Sequence, residues 1–290
     1  MARATANPTM VRRAEAPAKR AAAAGKPAKK TASRRVARVQ PAVAQRLFEK
    51  LHAHHSDAHC ELDHQDPFQL IVATVLSAQS TDVMVNKLTP ELFRRWPTPQ
   101  KLAAAEPAKV EDTLKRIGMF RQKTRNVIGL SKKLVEEHHA EVPRTLAELV
   151  KLPGVGRKTA NVVLGVAFGT PEGVVVDTHV QRISQRLGLT VHTEPVEIEQ
   201  DLMRLYPASE WDMLSHVLIF HGRRICSAQR PACAACPVQA ECPSAFKAEL
   251  VGRKPGRLRT PAVAPVAKAV KPAPLPAKTR KPSARLEKQR

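Results

Sequence analysis

The chain has 290 residues, 43% of them hydrophobic and only 3% aromatic, and carries a formal net charge of +22. That hydrophobic share can build a buried core, whereas so few rings argue against a protein that grips single strands by stacking bases on aromatic side chains. No apolar run reaches the ~18 residues of a membrane span and no signal-peptide pattern is present, so a soluble, cytoplasmic protein is expected.

The charge is concentrated at the ends. Residues 1–40 hold eleven Lys/Arg against one acid, Glu15, and residues 253–290 hold twelve against one, Glu287, leaving 25 basic and 24 acidic residues between them. Both tails are rich in Ala, Pro, Lys and Arg and lack the apolar periodicity needed to offset ordering entropy, which predicts disorder over 1–40 and 251–290. They suit either solubilising tails or polyelectrolyte arms for nucleic acid. The first also has the Arg-rich, acid-poor composition of a mitochondrial transit peptide, but the second shares that composition and cannot be one.

Between the tails the chain reads as successive short helices. Residues 41–54 place Val43, Leu47 and Leu51 on one face. Asp66-Pro67 offers an N-cap with proline at the first helical position, and the following FQLIVATVLSA is apolar all round, as a buried helix would be. Further helices are predicted over 82–95, 107–117, 121–138, 145–151, 157–167, 178–187, 196–206 and 209–223. The pairs Ile117-Gly118 and Leu187-Gly188 look like helix C-termini. Val174–Val176 is too short to establish a sheet, so the fold class is all-α.

The stretch TLAELVKLPGVGRKTANVVLGVAFG, residues 145–169, is the most informative. Thr145 and Glu148 form a capping-box pattern. The turn Leu152-Pro153-Gly154-Val155-Gly156 breaks that helix, and a second opens at Arg157. Two glycines let the backbone approach a ligand, and the new helix presents free N–H groups suited to a phosphate. Lys158, in the first turn, could be a solvated phosphate contact. Alternatively, desolvation near the helix's positive end would lower its pKa and make it an amine nucleophile able to form a Schiff base at the sugar C1′. Asp177, in VDTHVQRISQRLG, is a natural N-cap for 178–187. Its carboxylate could also stabilise positive charge on a sugar or help Lys158 lose a proton.

Cys226, Cys233, Cys236 and Cys242 are spaced C-x6-C-x2-C-x5-C, a density that indicates metal ligation rather than disulfides. Zinc accepts four thiolates, but its structural sites ordinarily use two close Cys pairs, and only Cys233/Cys236 fits that habit. One compact loop with four thiolates suits an iron–sulfur cubane better. Cys60 stands apart as an ordinary thiol.

The hairpin, the VDTH segment and the cysteine loop together resemble the endonuclease III family over about residues 41–247. The resemblance implies a helix-hairpin-helix DNA glycosylase fold. Its parts would be a six-helix barrel over 60–170 and a helical iron–sulfur domain over 171–250, with which the first helix, 41–59, packs. It further implies a [4Fe–4S] cluster on the four cysteines, Lys158 as nucleophile and Asp177 as its acidic partner in a cleft between domains. Gln79, in LSAQSTD, would fill the space of an extruded nucleotide, though helix C-capping is its bland alternative. Met119, in IGMF, would be an apolar wedge on the opposite strand. Gly154, Gly156 and Arg157 are the expected hairpin contacts to DNA. The implied activity is removal of oxidised pyrimidines from duplex DNA and β-elimination at abasic sites, by a monomer on the bacterial nucleoid. Two competitors are weighed against it. A related adenine glycosylase would need a catalytic Glu before the Gln79 loop, yet no acid occurs between Asp66 and Asp82. A non-catalytic DNA-structure binder with a structural metal site differs only in lacking a working Lys158/Asp177 pair.

Overall fold

A computed structural model describes residues 39–251. The basic tails, and the disorder predicted for them, lie outside the described residues apart from Val39, Gln40 and Val251. The described residues form α-helices and short 3-10 turns, with no strand among them.

Helix α1 (Pro41–His54) opens on a proline at its first position. Helix α2 (Pro67–Ser77) does the same behind Asp66, whose carboxylate accepts the Gln69 amide at 2.8 Å. As the apolar run predicts, α2 is buried from Phe68 to Leu76 except at Gln69. It is the axle of the fold, and Thr74 resolves its one buried hydroxyl by donating to the Leu70 carbonyl at 2.7 Å. Each such aliphatic side chain contributes roughly 1.5–3 kcal/mol by leaving water.

Around it stand α3 (Asp82–Arg95), α4 (Pro99–Ala103), α5 (Pro107–Leu114), α6 (Phe120–Glu137), α7 (Leu146–Leu149) and α8 (Arg157–Phe168). Helix α4 is not predicted by the sequence reading. It is one turn long, too short for an apolar period, and is started by the Thr98 hydroxyl on the Lys101 amide. Helix α5 stops at Leu114, short of the predicted 117, and the left-handed residue in the following turn is Met119, at φ 55°, rather than Gly118. Buried apolar residues from Leu62 to Leu164 in these elements form one continuous cluster.

A second cluster joins α1, through Ala44, Leu47, Phe48 and Leu51, to the chain after 173: α9 (Thr178–Arg186), α10 (Pro195–Leu205), α11 (Trp211–Arg224) and the cysteine segment. Tyr206, buried in this cluster, donates its hydroxyl to the Ala44 carbonyl at 3.0 Å, closing a contact 162 residues long in sequence. Helix α11 also packs on α8, so the two clusters meet there. Beside that seam the ends of α2, α8 and α9 converge.

Candidate active site and cysteine loop

A cleft of about 250 Å³ opens at the seam and is lined by Gln79, Asp82, Lys158, Asp177 and Arg223, with Cys60 in its wall. The local sequence accounts for each position. Gly154 stands at φ 79°, and a Cβ there would come within 2.7–3.0 Å of the Asn126 side chain, so only glycine lets the hairpin turn. Gly156 is different. Its φ of −97° is ordinary and an added Cβ would meet nothing, so nothing within the chain requires a glycine there and the surface is open to an approaching ligand. As N-cap of α8 it offers no side chain, which leaves the first-turn amides free for an anion.

Lys158 follows in that first turn and is exposed. The desolvation expected from its position is therefore not provided by the protein alone; a covering substrate would have to supply it. Arg157, read from the sequence as a DNA contact, is engaged within the protein instead. Its Nε and Nη2 donate to the two Glu199 carboxylate oxygens at 2.7 and 3.0 Å, and Asn161 Nδ2 adds a third bond to that buried acid at 3.0 Å. The hairpin is thereby tied to α10.

Asp177 is the N-cap of α9. Its Oδ1 accepts the amides of His179 and Val180 at 2.7 and 2.8 Å, which fixes the carboxylate and leaves Oδ2 outside the cap. Asp82 and Arg223 are site residues that motif reading did not single out. Arg223 pairs with Glu61 and donates to Asp82 Oδ2 at 3.0 Å, bridging α11 to the far wall. Burial raises the Asp82 pKa; the Lys158 charge opposes this and the Asp177 charge adds to it, so Asp82 senses both neighbours. Only their convergence in space marks Asp82; its sequence position reads as a helix start. Gln79 and Met119 both adopt left-handed backbone at φ 55°. Gln79 is exposed in the cleft, past the end of α2, while Met119 is 50% exposed on the neighbouring loop and does not line the cleft.

The four cysteines surround a separate small cavity with Ile183, Arg186 and His221. None is in a disulfide. Among the described residues no three His, Cys, Asp or Glu side chains converge as a single metal ion would require. Burial raises the Cys242 thiol to about 11 and moves Cys236 upward as well. The surroundings favour negative charge all the same. Arg186, 1% exposed, donates to Cys226 Sγ at 3.2 Å and to the carbonyls of Ser227 and Ala228 at 2.8 and 2.9 Å. Arg182 donates to the Gly222 carbonyl at 2.9 Å, and its buried Nε has no partner. The Phe246 amide points at Cys233 Sγ at 3.3 Å. Neither buried guanidinium is ion-paired with a carboxylate among the described residues, so the residues present fit an anionic, thiolate-held group.

The hairpin on a helical frame, with an amine and a carboxylate in the adjoining cleft, defines a helix-hairpin-helix DNA glycosylase. Residues 72–208 match the family model described as HhH-GPD superfamily base excision DNA repair protein. The chain belongs to the endonuclease III family, whose members are base excision repair glycosylases with AP lyase activity. It is 52% identical to the endonuclease III of Synechocystis over 188 residues, covering 65% of this chain and 86% of that one. With the endonuclease III of Bacillus subtilis it shares 47% identity over 196 residues, 67% of this chain and 89% of that one. A solved endonuclease III–DNA covalent intermediate superposes with a TM-score of 0.69 at 43% identity, covering 72% of this chain and 98% of the other.

Proposed function

We propose that Lys158 is the nucleophile and Asp177 its acidic partner in excising oxidised pyrimidines from duplex DNA and cutting the strand at the abasic site. The observation that carries this reading is the single cleft lined by both residues and Gln79. The Lys158 amine attacks C1′ as the glycosidic bond breaks, and the base leaves with that bond's electron pair and a proton. The Asp177 carboxylate, already oriented by its cap, stabilises the positive charge that develops on the sugar and assists proton removal from the amine. Sugar-ring opening yields the Schiff base. Loss of a C2′ proton then expels the 3′ phosphate oxygen by breaking the C3′–O bond, and hydrolysis frees the lysine. The related endonuclease III captured as a covalent DNA intermediate supports a covalent route.

Gln79 and Met119 act together on the opened duplex, Gln79 in the space of the extruded nucleotide and Met119 in the opposite strand. Gly154, Gly156 and the free amides of α8 bind a backbone phosphate. Cys226, Cys233, Cys236 and Cys242 would hold a [4Fe–4S] cluster, beside the buried Arg182 and Arg186. When bound, it supplies metal–thiolate bonds that fix the loop against α11. We further propose that the enzyme acts as a monomer in the cytoplasm on the nucleoid; its relatives in Synechocystis and Bacillus subtilis are bacterial.

Borohydride reduction on an abasic duplex tests the assignment. The full chain should form a covalent adduct, and Lys158→Ala should abolish it while still binding duplex. Wild-type trapping by Lys158→Ala would move the nucleophile elsewhere.

A further inference from the structure

Lys123 is the fourth residue of α6 and is 2% exposed. It makes no ion pair with any carboxylate among the described residues. Its ammonium donates to one side chain, the Ser80 hydroxyl, at 2.7 Å. Burial alone moves its pKa, downward, with no opposing charge to offset the shift. A buried cation resting on a neutral hydroxyl costs stability that an apolar residue would not, so its position calls for an account.

The two residues it links supply one. Ser80 immediately follows Gln79, and the Lys123 amide closes the first turn of α6 on the Met119 carbonyl at 3.0 Å. A helical side chain leans toward the N-terminus of its helix, so the lysine stem runs back beneath the Met119 turn to reach the Gln79 loop. The two loops also lie close together, since a Cβ added to Gly118 would come within 4.0 Å of the Gln79 carbonyl oxygen. Both Gln79 and Met119 hold left-handed conformations that cost a non-glycine residue roughly 1–2 kcal/mol and so need support from outside the residue.

We infer that the Lys123–Ser80 hydrogen bond is a clamp that sets the spacing and orientation of Gln79 and Met119, so that the two enter the duplex as one rigid two-pronged wedge. Lys123 is a positioning residue: it touches neither the base nor the reacting sugar. The inference rests on the wedge reading of Gln79 and Met119 given above.

The test uses the full chain and separates wedging from chemistry. Lys123→Met removes the ammonium at similar length, and Ser80→Ala removes its acceptor. In duplex DNA carrying an oxidised pyrimidine, each should slow single-turnover excision at saturating enzyme by about 10- to 100-fold, the scale on which small misplacements act. The double variant should be no slower than the worse single variant, since both break the same bond. Fluorescence of 2-aminopurine placed opposite the lesion, reporting unstacking, should rise correspondingly later. Borohydride trapping on an abasic single strand, which has no stack to open, should proceed at the wild-type rate. Wild-type duplex excision by Lys123→Met would overturn the clamp. So would a parallel fall in duplex excision and single-strand trapping, which would make the lysine a support of the fold at large. Gln79→Ala and Met119→Ala check the underlying reading separately. If neither slows duplex excision, the wedge itself fails, whatever Lys123 does.

Discussion

The lysine cleft and the cysteine loop hold cationic side chains in opposite ways. In the cleft, Arg223 is answered by Glu61 and Asp82, and Lys158 shares its space with Asp82 and Asp177. At the cysteine loop, Arg182 and Arg186 are 7% and 1% exposed and are met by carbonyl oxygens, the Cys226 sulfur and the His179 ring nitrogen, with no ion-paired carboxylate among the described residues. A buried guanidinium without a counter-charge is expensive. The cations of the cleft thus have carboxylates beside them before substrate arrives, whereas those of the loop would gain a counter-charge from thiolates holding a cluster. On the proposed roles, the cleft groups are preorganised by the fold, whereas the cysteine loop would be organised by its cluster.

The largest expected effects break the loop side of that comparison. Protein purified aerobically should be yellow-brown, with broad absorbance near ~400 nm from thiolate-to-iron charge transfer. Cys226→Ser should lose that colour and the loop's protection from proteolysis, because the sulfur facing Arg186 is gone. Cys60→Ser, altering a wall residue of the other site, should keep the absorbance intact. Colourless protein carrying stoichiometric zinc would sink the iron–sulfur assignment while leaving the charge argument standing.

On the cleft side, Asp177→Asn is the sharper probe because asparagine caps a helix nearly as well as aspartate. Thermal unfolding should move little, while base release and strand cleavage should both slow by about 10²-fold, the scale of lost acid–base help. A matching loss of stability and rate would mean that the cap is all Asp177 does.

How much of this was legible in the sequence follows from what each feature depends on. The hairpin, the α2 core helix and the Asp66 and Thr145 caps are local, fixed by residues within a few positions of each other. The sequence shows them clearly. Helix α4 is a single turn and carries no period. Asp82, Arg223 and the Lys123–Ser80 bond depend on residues 43 to 141 positions apart meeting in space, which no periodicity records. The left-handed Met119 beside an ordinary Gly118 shows the same limit, since propensity favours the glycine and tertiary packing chose its neighbour.

The smallest expected effect concerns Arg157, where hairpin chemistry and hairpin support compete for one side chain. Its guanidinium is 44% exposed while the Glu199 side chain is 6% exposed, so the carboxylate depends on the pair more than the arginine does. Arg157→Ala leaves Glu199 buried with only Asn161 as a donor, which should lower unfolding stability by roughly 1.5–3 kcal/mol, the usual range for a hydrogen bond to a charged group. Glu199→Gln keeps an acceptor for both donors and should cost less. If the arginine worked instead mainly as a phosphate contact, Arg157→Ala would leave denaturant midpoints unchanged. It would then reduce the slope of log K against log salt for undamaged duplex by about 0.9. Unfolding curves and a salt series on the same two proteins decide between these roles. The bidentate pair to α10 predicts that the midpoint moves and the slope does not.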